Sequence, residues 1–169
     1  YLSKIIKSVD VPSFGYVKRK IIHSTLTILV GWYVFSSINI YPDYLTYFND
    51  WVGGPRNGIN ILDDSNLDWG QDLKRVKPFM DKHGIKKVKL LVYGTADPNY
   101  YQIRTEQLSE KDKKFGPQNG YFAISASILA RMKNLPILFG YGSAWTELNS
   151  TKPMGIIGNT IYIFNFEDS

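Results

Sequence analysis

From Ile21 to Ile40 the chain carries no formally charged residue. This stretch is about the length a helix needs to cross roughly 30 Å of hydrocarbon. His23, Ser24, Thr25, Thr27, Ser36, Ser37 and Asn39 dilute its apolar character, and polar residues in a span face neighbouring helices or lie near its ends. A buried core helix is the alternative. Lys4, Lys7, Lys18, Arg19 and Lys20 precede the run, whereas Asp43 and Asp50 follow it. The positive-inside rule then places the N-terminal segment in the cytoplasm and everything after the span outside. A cleaved signal peptide fits poorly, because Tyr41-Pro42-Asp43 is no small-residue cleavage site. Pro42 ends the run, aromatic residues cluster around it, and Gly53-Gly54-Pro55 breaks the chain before the remainder.

Beyond that break the pattern alternates between strand and helix signals. Residues 58–62 read as a short strand or extended lead-in. Asp68 with Gln71 has the spacing of a capping box, followed by Leu73, Val76, Phe79 and Met80 on one helical face, with Pro78 inside and Gly84 to end it. Lys86–Tyr93 reads as a strand whose Leu90-Leu91-Val92 centre is buried on both sides, turning at Gly94–Pro98. Residues 106–116 form a polar loop or short helix, 121–125 a strand, 127–134 a short helix and 159–166 a β-prone strand. The expected fold class is α/β: one N-terminal transmembrane helix followed by a small extracytoplasmic α/β domain with a mixed sheet. The expected organisation is a cytoplasmic basic segment over 1–20, a transmembrane helix over 21–41, an interfacial linker over 42–56 and the extracytoplasmic domain over 57–169.

Composition narrows the chemistry. A mean hydropathy of -0.20 excludes a polytopic membrane protein, so at most one or two segments of these 169 residues lie in lipid. The net charge of +5 is a modest excess, and Lys18-Arg19-Lys20 reads as a membrane flank rather than a nucleic-acid patch. There is no cysteine, which removes disulfides, thiolate zinc sites and cysteine nucleophiles. His23 and His83 are isolated in sequence, and phosphate-loop and nucleophile-elbow patterns are absent.

The densest polar cluster spans Asp63 to Asp72. Asp64, Asn66 and Asp68 alternate as in a calcium loop, but the glycine falls one position late and Arg75 stands where a bidentate Glu belongs. No metal or cofactor is therefore expected. Two readings stand: helix capping with a polar turn, or a ligand or sugar site in which carboxylates accept hydroxyl groups and Trp69 offers a stacking face. The candidate ligand- or acceptor-binding residues are Asp64, Asn66, Asp68, Trp69, Gln71, Asp97, Tyr100 and Tyr101. Asp97 enters because ligand crevices in α/β sheets lie at strand ends. No catalytic residue is assigned.

Several strings together resemble a known family: Pro42–Asn49, Gly53-Gly54-Pro55 and Asp64-Ser65-Asn66-Leu67-Asp68-Trp69-Gly70-Gln71-Asp72-Leu73, then Gly94–Pro98 with Tyr101, then Tyr121–Ser125. They resemble the C-terminal stretch of prokaryotic polytopic membrane glycosyltransferases of the protein-mannosyltransferase and aminoarabinose-transferase type, with GT-C, family 39-like architecture. The resemblance implies transfer of a sugar from a polyprenyl-phosphate carrier to an extracytoplasmic acceptor. It also implies that the catalytic carboxylate lies in an early loop outside this chain. The opening Tyr1-Leu2-Ser3 reads as mid-protein sequence, in keeping with a tail. The implied partners are membrane lipid and a polyprenyl-phosphate-linked sugar reached through the rest of the enzyme, with other membrane subunits as a further possibility and no nucleic acid. The competing expectations are a stand-alone, single-span accessory subunit of a membrane complex and a soluble carbohydrate-binding domain.

Overall fold

The computed structural model describes residues 15–62, 68–134, 145, 148 and 151–166, and the chain divides into two units, Tyr1–Tyr41 and Pro42–Ser169. The first unit holds one helix, α1, over Tyr16–Ile40. Its Lys18–Ile40 portion is long and apolar enough to cross a membrane. The helix begins ahead of the uncharged run, so Lys18, Arg19 and Lys20 belong to its first turns, and Lys20 Nζ lies 4.6 Å from the centre of the Tyr16 ring. Two of the hydroxyls that dilute the run are satisfied within the helix. Thr27 Oγ1 donates to the His23 carbonyl at 2.9 Å and Ser37 Oγ to the Tyr33 carbonyl at 2.8 Å. Such back-bonding lets a hydroxyl sit in an apolar helix without an unpaired donor.

The second unit is a mixed α/β domain. Its helices are α2 (Leu73–Lys82), α3 (Glu110–Phe115) and α4 (Ala126–Asn134). Its strands are β1 (Val88–Leu91), β2 (Thr105–Glu106), β3 (Tyr121–Ser125), β4 (Gly155–Ile157) and β5 (Ile161–Asn165). They form one sheet in the order β2-β1-β3-β5-β4, with β1 parallel to both β2 and β3, and β5 antiparallel to β3 and β4. The mixed sheet expected from the sequence is thus present.

Period-2 alternation gives the sheet two apolar faces. Leu91, Phe122, Ile124, Tyr162 and Phe164 join Leu129, Met132, Trp145, Leu148, Phe48 and Ile59 in one cluster. Val88, Ala123, Ile161 and Ile163 join Leu73, Val76, Met80, Ile85 and Ile103 in the other. The face that α2 covers is supplied by the helical stripe Leu73, Val76 and Met80 that the spacing predicts. Pro78 lies inside α2 without ending it, and Gly84, at φ +68°, follows its C-terminus.

Two local expectations are corrected. Residues 58–62 are not a strand: Pro55–Asn60 is a 3-10 helix. Pro55 fixes its first turn, and Gly58 admits the Phe48 ring where a Cβ would come within 2.4 Å of it. Asp68 and Gln71 do not form a capping box either. Gly70 is left-handed at φ +77°, which breaks the helical path, and α2 starts only at Leu73, with Asp72 at its N-cap position. The capping box of this domain is Ser109 with Asp112, at the start of α3. The edge strands β2 and β4 are too short to show a period in the sequence.

Lys89 sits on the same side of β1 as Leu91, in the core. A buried ammonium needs a full set of partners. Its Nζ lies 2.9 Å from Asp112 Oδ2 and 2.9 Å from the Asn119 carbonyl, and 4.9 Å from the centre of the Phe122 ring. Asp112 is fully buried and saturated: Oδ2 also accepts from the Ser109 amide and hydroxyl, and Oδ1 from the Gln118 amide. The backbone carbonyl of Asp112 accepts from the Trp145 indole at 2.8 Å. Burial alone would raise the Asp112 pKa, but the hydrogen bonds from Lys89, Ser109 and Gln118 outweigh it and bring it down to about 2.

A depressed carboxyl pKa stabilises the fold above the ordinary carboxylate range and loses that contribution as pH falls. Unfolding of the full chain in detergent should therefore show roughly 2 kcal/mol of stability disappearing between about pH 4 and pH 2. Asp112→Ala should cost about 3–5 kcal/mol at pH 7, because it strands the Lys89 charge in the core, and chemical denaturation at the two pH values reads both effects.

Candidate functional site

The parallel strands β1 and β3 end side by side, and the turn Asp68–Gln71 closes over the residues that follow them. Ser125, at the end of β3, accepts from the Tyr93 amide through Oγ at 3.1 Å, and its hydroxyl lies 3.3 Å from that of Ser127. Gly70 and Gly94 meet back to back. A Cβ on Gly70 would come within 2.7 Å of the Tyr93 carbonyl, and one on Gly94 within 3.3 Å of the Trp69 carbonyl. Both glycines have positive φ, so neither position admits a side chain on conformational grounds as well. The C-terminal end of parallel strands is the usual place for a ligand crevice in an α/β sheet.

Asp68 lies at the centre of this arrangement and is only 2% exposed. Its Oδ1 accepts from the Gly70 amide at 2.7 Å. Among the described residues its Oδ2 has no hydrogen-bond partner of ordinary geometry. Burial raises its pKa, with the Gly70 amide and then the Ser125 and Ser127 hydroxyls acting against that shift. Gln71 Oε1 accepts from the Trp69 amide at 2.7 Å, and its buried Nε2 likewise lacks a partner among the described residues. The Trp69 side chain is exposed and its ring meets Tyr93 edge-on at 6.5 Å. The turn thus combines a buried carboxyl, a carboxamide donor and an exposed indole face.

The candidate residues read from the sequence divide into three sets. Asp68, Trp69 and Gln71 share the turn above. Asp97, Tyr100 and Tyr101 belong to a separate 3-10 turn, Pro98–Tyr101, beside α2. There Asp97 accepts from the Asn99 amide at 2.9 Å, Tyr101 packs into the α2-side core, and Tyr100 stands exposed against its edge at 5.1 Å. Asp64 and Asn66 lie outside the described residues.

Asp72 was not among the candidates, yet it is the carboxylate of the run that ties distant segments together among the described residues. It is buried, accepts from Thr160 Oγ1 at 2.7 Å and pairs with Arg75 at 3.0 Å, while Arg75 also pairs with Asp43. Gly158, left-handed at φ +56°, lets the β4–β5 turn reach it, since a Cβ there would overlap the carboxylate at 2.1 Å. Asn159 in the same turn donates to Thr46 Oγ1 at 3.3 Å. Burial raises the Asp72 pKa, and the Thr160 hydroxyl and the Arg75 charge oppose that rise. Among the described residues, no group of three His, Asp or Glu side chains is placed to hold a metal ion.

Comparison with protein families, with curated proteins and with solved structures finds no match.

A carboxyl whose folded pKa is raised favours the fold at low pH and opposes it as pH rises through that value. Asp68→Asn keeps an acceptor for the Gly70 amide and removes the buried charge. It should raise Tm at pH 7 by a few degrees and flatten the rise of stability between neutral and acidic pH. Thermal melts at pH 5 and pH 7 check both, and an Asn variant less stable than the parent at pH 7 contradicts the raised pKa.

Proposed function

We propose that this chain is the C-terminal anchor and tail of a membrane glycosyltransferase that moves a sugar from a polyprenyl-phosphate carrier to an extracytoplasmic acceptor. In this reading the Asp68–Gln71 turn serves acceptor recognition. The observation that carries the proposal is the DSNLDWGQDL string: its described part forms a turn with an exposed indole and two buried polar atoms that have no hydrogen-bond partner of ordinary geometry among the described residues, at the C-terminal end of two parallel strands. A turn that only joined a span to a sheet would have no use for unpaired donors and acceptors, each of which costs about 1–3 kcal/mol.

The orientation is part of the proposal. α1 carries Lys18, Arg19 and Lys20 near its N-terminus and has no basic residue in its last turn. That asymmetry favours a cytoplasmic N-terminus and an extracytoplasmic domain. These residues hold no cysteine, so labelling of an introduced one is read against the unsubstituted parent. Lys111, exposed in α3, is a suitable reporter as Lys111→Cys. A membrane-impermeant maleimide should label it in intact cells or spheroplasts, and labelling only after lysis would reverse the orientation.

The activity test uses membrane vesicles containing the full product of the reading frame, a radiolabelled polyprenyl-phosphate sugar and the native membrane acceptors. Transfer should occur. Trp69→Ala should lower kcat/KM for the acceptor about tenfold, the equivalent of roughly 1.4 kcal/mol of binding, chiefly through KM. Absence of transfer, together with purification of the chain in a stable complex with other membrane proteins, would replace this reading with that of an accessory subunit.

A further inference from the structure

We infer that residues 44–62 form a lipid-docking surface that seats the domain on the interface of the bilayer crossed by α1. This segment is built as three successive 3-10 turns, Tyr44–Thr46, Asp50–Val52 and Pro55–Asn60. Polar side chains brace the turns from within, and one of them, Asn57, ties the third turn to the second. Asn49 accepts from the Trp51 amide at 3.0 Å, Asn57 donates to the Val52 carbonyl at 2.6 Å, and Asn60 donates to Asn57 at 2.9 Å. Phe48 and Ile59 fasten the segment into the core, with Gly58 pressed against the Phe48 ring.

With those two anchors inside, the large apolar residues that remain all face outward. Trp51 is 90% exposed and Leu45 62%, and Tyr44, Tyr47, Val52, Ile61 and Leu62 are exposed with them. The hydrogen bonds and anchors hold them in a fixed framework, so their exposure is built into the fold. A soluble surface rarely leaves this many large apolar groups exposed within so short a stretch of chain.

Chain continuity and side-chain chemistry identify lipid as the occupant. Tyr44 follows Ile40, the last residue of the span, by four positions, so at most about 14 Å of chain separates them. The headgroup layer on each side of the hydrocarbon is roughly 5–7 Å thick, and the segment begins within reach of it. Tyr and Trp, apolar rings with a polar tip, are the residues that concentrate at this depth. Charge plays no part in the attraction: residues 42–62 hold no Lys, one Arg and two Asp, and Asp43 is tied to Arg75. The docking is therefore independent of anionic lipid and of salt.

The test uses the full chain in nanodiscs of pure phosphatidylcholine, with nitroxide labels on the single-cysteine variants Leu45→Cys, Trp51→Cys and Leu62→Cys, and with Lys111→Cys as the aqueous reference. The proposal expects relaxation by oxygen to exceed relaxation by a water-soluble nickel chelate at the three docking positions, with the order reversed at residue 111. Adding anionic lipid or salt should leave the pattern unchanged. Nickel accessibility at the three positions equal to that at residue 111 overturns it, because the surface is then in water. Low accessibility to both agents also overturns it, because the surface is then covered by protein. An unlabelled measurement guards against perturbation by the label: shallowly brominated phosphatidylcholine should quench the native chain more than Trp51→Phe, and equal quenching counts against the proposal. The inference rests on α1 being a span but not on sugar transfer, so a failed transferase assay leaves it standing, and the maleimide labelling of Lys111→Cys tests the span separately.

Discussion

A single buried carboxylate, Asp72, ties together three pieces of the domain that are far apart in sequence. Its oxygens receive the Thr160 hydroxyl from the β4–β5 hairpin and the Arg75 guanidinium from α2, and Arg75 reaches on to Asp43 at the start of the domain. Gly158 makes the approach sterically possible. Without this junction the turn that carries Asp68 and Trp69 would have no fixed end, since Asp72 is where that turn becomes helix α2. Placing a charge inside a protein is unfavourable unless its partners are complete. Here completeness depends on strands, helix and entry segment being present at once, which makes the junction a check on correct assembly.

The two buried carboxylates Asp112 and Asp68 show how environment divides chemically identical groups. Asp112 is surrounded by donors, one of them a lysine, and is held ionised. Asp68 has one firm donor and an oxygen without a partner of ordinary geometry among the described residues, and burial pushes it toward the protonated form. The first is a structural bolt. The second retains unspent hydrogen-bonding capacity, which is why the candidate site is placed around it.

Much of the architecture was readable in the sequence because it rests on period. The stripe Leu73, Val76 and Met80 marked α2, and Tyr121–Ser125 coincides with β3. The uncharged run marked the long helix. What escaped depends on contacts between distant residues. The hydrogen bonds of Asp68 and Gln71 accompany the left-handed Gly70, where the Tyr93 carbonyl beyond it leaves no room for a side chain. Lys89 lay in a string of lysines whose other members are exposed, and its burial is explained only by Asp112, distant in sequence. Asp72 stood in plain view within the acidic run, but its partner Thr160 lies 88 residues away. Of the candidate ligand residues, three share the turn and three occupy a neighbouring one, a division that strand-end reasoning alone does not make.

The strand order has a consequence for biogenesis. β5 sits between β3 and β4, so nearly the last described stretch of chain occupies an interior place in the sheet. Phe164 and Ile163 feed opposite faces of the core, and β3 pairs along its whole length with β5. Until residues 161–165 have been synthesised, β3 presents an open edge and both apolar layers lack a wall. Non-local pairing of this kind is slow and leaves surface exposed while it waits. Residues up to 165 must therefore emerge before this domain can close, and a ribosome that stops shortly before Ile161 leaves behind a domain that cannot mature.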